Sequence, residues 1–236
     1  MRPTASEYDP YADELADYTG RREQGGVAGD ELLVRQLELL GEVAGRRVLD
    51  AACGDGYLAR VLAARGALVT GIDLGPRLIE RARQRDPGGA IDYRVADLSQ
   101  PLPGEEGSFD AVASYLALND VLDYRGFTAT LAAALRPGGR LVIAFNSPYG
   151  AVVRGNFADY FDSGATSPYR GLWAMGIRTH MLHRTLEEYL DAFIDAGLRL
   201  TKLADVPAHS LVPGPDSILP EGGRFPRFML LAFSKS

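Results

Sequence analysis

Short apolar runs alternate with segments of helical periodicity through the first two thirds of the chain. The runs that predict strands cover residues 48–51, 68–72, 91–96, 109–114 and 140–145. Residues 57–65 between them show a helical pattern that Gly66 closes. Strands that alternate with helices are typical of βαβ units, so the pattern predicts a parallel sheet.

Local signals predict where the other helices begin and end. Asp30 is expected to cap a helix that carries Leu33, Leu37 and Leu40 on one face. Pro76 suits the first position of another helix, because its missing N–H is not needed there.

Two further helices are predicted nearer the carboxyl terminus. A helix over about 120–136 is expected to end because Pro137 cannot continue it, and a glycine turn follows. Thr185 and Glu188 form a capping box, which predicts a helix that continues to about Ala196.

The regular pattern breaks between residues 147 and 183. Six aromatic residues stand there among glycines and prolines: Tyr149, Phe157, Tyr160, Phe161, Tyr169 and Trp173. A long stretch without clear periodicity is often functional. We expect a lid over a ligand, and the alternative is a small satellite core under a long loop.

We predict one domain over residues 1–236. It divides into an N-terminal segment (1–44), a binding core (45–146), a lid insertion (147–183) and a C-terminal part with a helix and strands (184–236). Residues 1–29 are expected to be loosely ordered. Strands over 198–204 and 228–233, joined by the proline-rich loop 207–226, are expected to complete the sheet.

Composition and charge narrow the class of partner. The 236 residues carry a net charge of −6, and only two of the 25 basic residues are lysine. An acidic chain without a basic stripe is poorly suited to nucleic acid, whose phosphates dominate binding. The arginines at 77, 81, 83 and 85 are expected to form a solvated helix face.

The cysteine, the histidines and the hydropathy of the chain bear on its compartment, on metal binding and on membrane contact. Cys53 is the single cysteine, which fits a reducing cytoplasm. His180 and His183 have no cysteine pair nearby and His209 is remote, so we expect no metal site. The N-terminus has no apolar signal segment, and no run approaches the ~18 apolar residues of a membrane span. We expect a cytoplasmic protein that does not contact membranes.

Three acidic residues stand at or directly after the predicted strands. They are Asp50, Asp73 and Asp97. In an open parallel sheet, ligands bind at the carboxyl ends of the strands. Three carboxylates at one edge favour a ligand rich in hydroxyl and amino groups, such as a nucleoside cofactor.

A glycine turn follows the first of these strands. Gly54 and Gly56 begin a G-x-G-x-x-A pattern at the start of a helix, where backbone N–H groups can approach a ligand. The pattern alone is weak, and an ordinary tight turn is the alternative. Asp73 can accept from two ribose hydroxyls, or serve as a strand-end cap. Asp97 can accept from an adenine amino group, or form a turn before Pro101.

Two features favour a cationic ligand over a dinucleotide. Asp50 stands before the glycine turn, where it can hold an amino group but repels a diphosphate. Asp55 inside the turn adds a second repulsive charge.

These motifs together resemble the class I S-adenosylmethionine-dependent methyltransferases. The resemblance rests on residues 48–56 (VLDAACGDG), 69–73 (VTGID), 96–98 (ADL), 109–112 (FDAV) and 135–139 (LRPGG), and it covers roughly residues 45–146. Ala52 is a departure, since glycine is common at its position, and we expect a small adjustment of the loop. Cys53 fits the motif and is expected to be a packing residue.

The resemblance implies a fold, a cofactor and its site. The fold is a Rossmann-like α/β sheet of seven mostly parallel strands, with helices on both faces and the last strand antiparallel. The cofactor is S-adenosylmethionine, and S-adenosylhomocysteine is the product. The implied cofactor residues are Asp50, Ala52, Gly54, Gly56, Asp73, Leu74, Asp97, Leu98, Tyr115 and Asn119, the last two lying near the sulfonium.

The acceptor site is less well defined by the sequence. His183 and His180 are candidate general bases, because histidine titrates near neutral pH. Packing at the helix entry is the alternative for His183, and a surface or pocket-wall position is the alternative for His180. Asn146, Tyr149, Tyr169 and Trp173 are candidate acceptor-binding residues. Tyr8, Tyr11 and Tyr18 are expected to form a flap over the cofactor, or to pack ordinarily.

We predict methyl transfer to an oxygen or nitrogen of a small organic acceptor, such as a specialised metabolite. Two alternatives stay open. One is a protein of this fold that binds the cofactor without transferring a methyl group. The other is an NAD-dependent oxidoreductase.

Overall fold

A computed structural model describes residues 7–153, 155–207 and 225–236. Its strands are β1 (Arg47–Ala51), β2 (Leu68–Asp73), β3 (Asp92–Val95), β4 (Phe109–Tyr115), β5 (Leu135–Asn146), β6 (Thr166–Pro168), β7 (His180–Leu182), β8 (Leu198–Pro207) and β9 (Pro226–Lys235). Its α-helices are α1 (Ala12–Gln24), α2 (Glu31–Leu40), α3 (Tyr57–Ala63), α4 (Pro76–Gln84), α5 (Tyr124–Ala134), α6 (Pro148–Val153), α7 (Arg170–Ala174) and α8 (Leu186–Asp195).

Seven of these strands form one sheet in the order β3-β2-β1-β4-β5-β9-β8. Strands β1 to β5 pair in parallel, and β9 runs antiparallel to both of its neighbours. Crossovers from β1 in both directions along the sheet put the carboxyl ends of β1, β2 and β4 at one edge. The predicted seven-stranded, mostly parallel fold is confirmed.

Neighbouring residues of a strand point to opposite faces of the sheet. Because both sets are apolar here, helices cover both faces. Val48 packs in one core with α2, α3 and α4, whereas the next residue, Leu49, packs in the other core with α5 and α8. Burial on both faces explains why these strands are apolar almost throughout. Both cores stop at the strand ends, where polar residues begin.

The predicted helix over 120–136 is too long at its start. A short 3-10 helix occupies Leu118–Asp120, and α5 begins only at Tyr124, where the Asp123 side chain accepts from the Gly126 amide. Strand β5 then begins directly at Leu135, so the expected glycine turn lies inside the strand. Its pairing with β4 is irregular there.

The expectation of loose order in residues 1–29 is wrong for the described residues 7–29. Helix α1 packs against α4, and the Asp9 side chain accepts from the Arg77 and Leu78 amides at the start of α4. Asp13 forms ion pairs with Arg77 and Arg81. The arginine-rich face of α4 is therefore partly covered by α1 and is not fully solvated as predicted. The acidic partners of these arginines lie far away in the sequence, so the sequence pattern gave no sign of the contact.

Residues 147–183 contain more regular structure than their sequence suggests. Strands β6 and β7 form a two-stranded antiparallel sheet; α6 precedes β6 in the chain, and α7 lies between the two strands. Ala151, Phe157 and Met181 form a small apolar cluster beneath it. This satellite core makes the insertion a folded unit, and its function as a lid stays a prediction. Most of the loop 207–226, with His209, lies outside the described residues.

No helix in the described part of the chain is long and apolar enough to cross a membrane.

The capping box at the start of α8 generates a first prediction. The Thr185 hydroxyl accepts from the Glu188 amide, and the Glu188 carboxylate accepts from the Thr185 amide. Thr185→Ala should lower the free energy of unfolding by about 1 kcal/mol, since one helix donor loses its partner. Urea denaturation followed by circular dichroism measures this loss. Thr185→Ser keeps the acceptor and should stay near wild type; equal losses in both variants would contradict the capping explanation.

Candidate functional site

The turn after β1 is fastened to the end of β2. The Cys53 amide donates to the Ile72 carbonyl at 3.0 Å, and the Gly54 amide donates to the Asp73 carboxylate at 2.9 Å. The backbone φ values of Ala52 and Gly54 are +57° and +55°. This left-handed backbone turns the chain sharply between the buried strand and helix α3.

The two glycines of the turn have different surroundings. A Cβ atom at Gly56 would overlap the ring of Tyr93, so close packing excludes any other residue there. A Cβ atom at Gly54 would meet no atom within 4 Å. The turn therefore packs against β3 at Gly56 and leaves open space beside Gly54.

Asp73 is held by backbone donors at the end of β2. Its two carboxylate oxygens accept from the Gly54 amide at 2.9 Å and the Gly75 amide at 2.8 Å. Burial raises the pKa of Asp73, and these two amides counteract that effect. The carboxylate is thus fixed in direction, and each oxygen keeps a lone pair for another donor.

Asp50 is the buried carboxyl group of this edge that lacks such support. It is 1% exposed, and apart from a weak contact with the Ala59 amide its oxygens have no hydrogen-bond partner among the described residues. Burial, with a smaller contribution from the Asp73 charge, raises the pKa of Asp50 to about 8, and the Ala59 amide and Arg60 offset this only in part. A buried polar group without a partner is rare in proteins and is typical of functional sites.

Asp55 points away from this space, toward α1 and α4. Its carboxylate accepts from the Thr19 hydroxyl of α1 and from Arg85, just after α4. Arg85 and Arg60 also pair with Glu23 of α1. Sequence reasoning treated Asp55 only as a repulsive charge, whereas the structure pairs it and uses it to attach α1 to the turn.

The third predicted carboxylate is less deeply set. Asp97 is half-buried after β3, and its Oδ1 accepts from the Ser99 amide at 2.9 Å. Leu98 beside it is buried. One oxygen of Asp97 therefore stabilises a turn, as the alternative interpretation expected. The predicted contact of the other oxygen with adenine stays a prediction.

The ends of β4 and β5 are joined by side-chain hydrogen bonds. Asn119 accepts from the Asn146 amide at 2.9 Å and donates to the Asn146 carbonyl at 3.3 Å. The Tyr115 hydroxyl donates to Asp30, the residue that caps α2. These contacts give Asn119, Asn146 and Tyr115 structural partners at the edge where the sequence placed them.

The two candidate histidines both have partners within the insertion or the N-terminal segment. His183 is 2% exposed, its Nε2 lies 2.7 Å from the Tyr160 carbonyl oxygen, and its ring packs on Phe157. His180 Nδ1 lies 2.7 Å from Glu7. This geometry favours packing for His183 and a surface ion pair for His180, and their catalytic role stays a prediction.

The aromatic candidates of the insertion lie in different places. Tyr149 stacks on Tyr160 and is 42% exposed, and the Trp173 indole N–H donates to the Thr179 carbonyl. Tyr169 instead donates to Asp120 at 2.8 Å. Sequence reasoning placed Asp120 in a helix and did not single it out, although a carboxyl group a few residues after the end of β4 was the available signal.

No group of three or more histidine, cysteine, aspartate or glutamate residues within the described ranges could hold a metal ion. Cys53 is buried, and burial raises its pKa well above the usual value, so its thiol is protonated. This fits its predicted packing role.

The turn and the strands around it are similar in sequence to known proteins. Residues 49–143 match the family model described as a methyltransferase domain. The chain is 44% identical over 121 residues to the ubiquinone biosynthesis O-methyltransferase of Methylocella silvestris, covering 50% of this chain and 44% of that protein. It is 40% identical over 113 residues to the demethylmenaquinone methyltransferase of Tropheryma whipplei, covering 47% and 46%. The chain thus matches less than half the length of either relative.

Solved structures agree on the fold over most of the chain. An S-adenosylmethionine-dependent methyltransferase from Mesorhizobium loti is 28% identical, with a TM-score of 0.70 over 89% of this chain and 100% of that one. A TehB-like S-adenosylmethionine-dependent methyltransferase from Corynebacterium glutamicum is 22% identical, with a TM-score of 0.62 over 96% and 99%, and shows the fold alone.

The left-handed backbone at Ala52 generates a second prediction. A residue with a side chain at this φ is strained by about 1–2 kcal/mol. Ala52→Gly should therefore raise the free energy of unfolding by about 1 kcal/mol, after the greater freedom of glycine in the unfolded chain is subtracted. Ala51→Gly, in the neighbouring buried strand position, is the matched control and should be destabilising. If Ala52→Gly does not raise the free energy of unfolding, Ala52 is not strained.

The charge of Asp50 generates a third prediction. A carboxyl group whose pKa is raised by folding binds its proton more tightly in the folded state, so its contribution to stability falls as pH rises from about 4 to about 8. Asp50→Asn carries no such charge, and its advantage in unfolding free energy over wild type should grow across that range and then level off.

Urea unfolding of the ligand-free protein between pH 5 and 9 measures this advantage. Glu38→Gln, on the exposed face of α2, is the control and should show no such trend. A constant difference between Asp50→Asn and wild type would mean that Asp50 is not held neutral by burial.

Proposed function

We propose that this chain is a class I S-adenosylmethionine-dependent methyltransferase, and that it transfers a methyl group from S-adenosylmethionine to an oxygen or nitrogen of a small organic acceptor. The match of residues 49–143 and the similarity of the fold to a solved methyltransferase support this proposal. The observation that carries this proposal is the buried Asp50 carboxyl group, which lacks a well-formed hydrogen bond and lies beside a turn with open space. A cationic amino group supplies the missing partner.

The described residues fit each part of the cofactor. The methionine portion would lie along the backbone of Ala52 and Gly54, with its ammonium at Asp50. The ribose diol would donate to Asp73, whose direction two amides already fix. The remaining predicted contacts are Leu74, Asp97 and Leu98 around adenine, the turn at Gly56, and Tyr115 and Asn119 near the sulfonium.

The charges argue against the nicotinamide alternative. A diphosphate in this turn would meet the buried Asp50 carboxyl group and the Asp73 carboxylate. Arg60 and Arg85 near the turn are already engaged with Glu23 and Asp55. A sulfonium and an ammonium would instead favour the ionised forms of Asp50 and Asp73 and pair with them. This supports S-adenosylmethionine over a dinucleotide.

For the acceptor we propose a small hydroxylated aromatic compound. The relatives named above carry ubiquinone and demethylmenaquinone in their names, and the insertion supplies aromatic side chains for a ring. The net charge of −6 supports a small molecule over nucleic acid. The single buried cysteine supports a cytoplasmic location.

Bound S-adenosylmethionine supplies an electrophilic methyl group. The protein then has to align an acceptor atom behind that group and exclude water, and alignment alone can contribute roughly 7–11 kcal/mol. The Asn119–Asn146 contact keeps the ends of β4 and β5 rigid for this purpose. The insertion and the N-terminal segment would form the walls that exclude water.

Calorimetry and product analysis test the proposal. The purified protein should bind S-adenosylmethionine and S-adenosylhomocysteine but not NADH in separate titrations. Supplied with catechols, hydroquinones and amines, it should accumulate S-adenosylhomocysteine together with a methylated acceptor. Binding without turnover over the whole panel would favour the alternative of a cofactor-binding protein, and NADH binding would favour the oxidoreductase.

Asp73 provides a further prediction for this site. Asp73→Ala removes a charged hydrogen-bond acceptor worth roughly 1.5–3 kcal/mol, so affinity for S-adenosylhomocysteine should fall about tenfold or more. Asp92→Ala is the matched control, since Asp92 lies exposed on the neighbouring β3. Unchanged affinity in a folded Asp73→Ala protein would remove Asp73 from the ribose site.

A further inference from the structure

A polar cluster joins three distant parts of the chain at the ends of β4 and β5. It consists of Asp120, Tyr169 and Tyr8. The Tyr169 hydroxyl of the insertion donates to Asp120 Oδ1 at 2.8 Å, and the Tyr8 hydroxyl of the N-terminal segment hydrogen-bonds the same carboxylate. Asp120 is therefore held in place from two sides.

The position of this cluster suits an acceptor site. Asp120 directly follows Asn119, whose side chain is bonded to the backbone at the end of β5. Strand β7 of the insertion packs against the short helix Leu118–Asp120. Asp120 thus lies at the ligand-binding edge, between the two segments expected to enclose the acceptor. The residue as a whole is half-buried, so its neighbours do not cover it completely.

The surroundings of Asp120 suit a group that accepts a proton. Burial raises its pKa to about 8, Glu7 adds to this, and the two tyrosine donors act in the opposite direction. General bases work best when their pKa lies near the operating pH, provided that they can reach the proton.

We propose that Asp120 is the catalytic residue that accepts the proton from a hydroxyl acceptor, an inference that rests on the proposed function. The acceptor oxygen forms a bond to the methyl carbon, and the carbon–sulfur bond breaks with its electron pair going to sulfur. The hydroxyl proton moves to the Asp120 carboxylate, which later releases it to water. No other reactant is needed. Tyr169 is a positioning residue that orients the carboxylate.

This assignment agrees with the positions of the histidines. His183 is bonded to the Tyr160 carbonyl under the insertion, and His180 is paired with Glu7. The charged and titratable groups near Asp120 come from each surrounding element: Glu7, Tyr8, Tyr169, His180, Arg184 and Tyr189. Asp120 is the carboxyl group that they surround.

The test is the pH dependence of methyl transfer in single turnovers, with catechols and hydroquinones as acceptors. The wild-type rate should rise with pH to a plateau with a midpoint near 8, because the carboxyl group must be ionised. Asp120→Asn should lower the plateau about 100-fold or more and abolish this rise. Its affinity for S-adenosylhomocysteine should not change, which shows that the variant is folded. Asp191→Asn, exposed on α8, is the matched control.

Tyr169→Phe is the second variant. It removes a donor that favours the ionised form of Asp120, so the midpoint should move to higher pH, a change that a merely structural role would not produce. If Asp120→Asn keeps its rate and His183→Gln loses the pH dependence, the assignment would be overturned in favour of His183. If the wild type turns over and Asp120→Asn is equally fast, the assignment of Asp120 is wrong but the proposed function stands. No wild-type turnover with any acceptor would remove the proposed function and this assignment with it.

Discussion

Carboxyl groups are crowded at one edge of the sheet, and the structure of this region depends on how each one is compensated. The chain fastens the turn after β1 to the end of β2 through the Gly54–Asp73 hydrogen bond, which brings Asp50, Asp55 and Asp73 close together. Asp73 is compensated by backbone amides, and Asp55 by Arg85 and Thr19. Asp50 has only a weak contact with the Ala59 amide. The same crowding that destabilises the ligand-free edge supports the proposed cationic cofactor.

The parts of this arrangement that are local in sequence could be predicted without the structure. Strand ends at Asp50 and Asp73 follow from apolar runs, and the caps at Asp30 and Thr185 follow from short-range hydrogen bonding that involves only neighbouring residues. The parallel order of the sheet follows from the alternation of strands and helices. In each case the physical cause lies within a few residues, and the sequence pattern therefore contains it.

Features that depend on distant partners could not be predicted in this way. Helix α1 is polar, and it is held by pairs such as Asp13–Arg81 and Glu23–Arg85, whose members lie far apart in the chain. Asp120 was hidden for the same reason, since its partners come from the N-terminal segment and the insertion. The left-handed φ of Leu116 after β4 could not be predicted either, because leucine rarely adopts such a backbone conformation.

The charge network links the N-terminal segment to both halves of the proposed site. On the cofactor side, α1 reaches the glycine turn through Thr19 and Asp55; on the acceptor side, Tyr8 reaches Asp120. The segment between them is short and lies on α4 through Asp9. A displacement of this segment would therefore remove donors from Asp55 and Asp120 together. In the proposed site, cofactor binding and acceptor chemistry would therefore share one structural support, namely the packing of residues that precede the sheet.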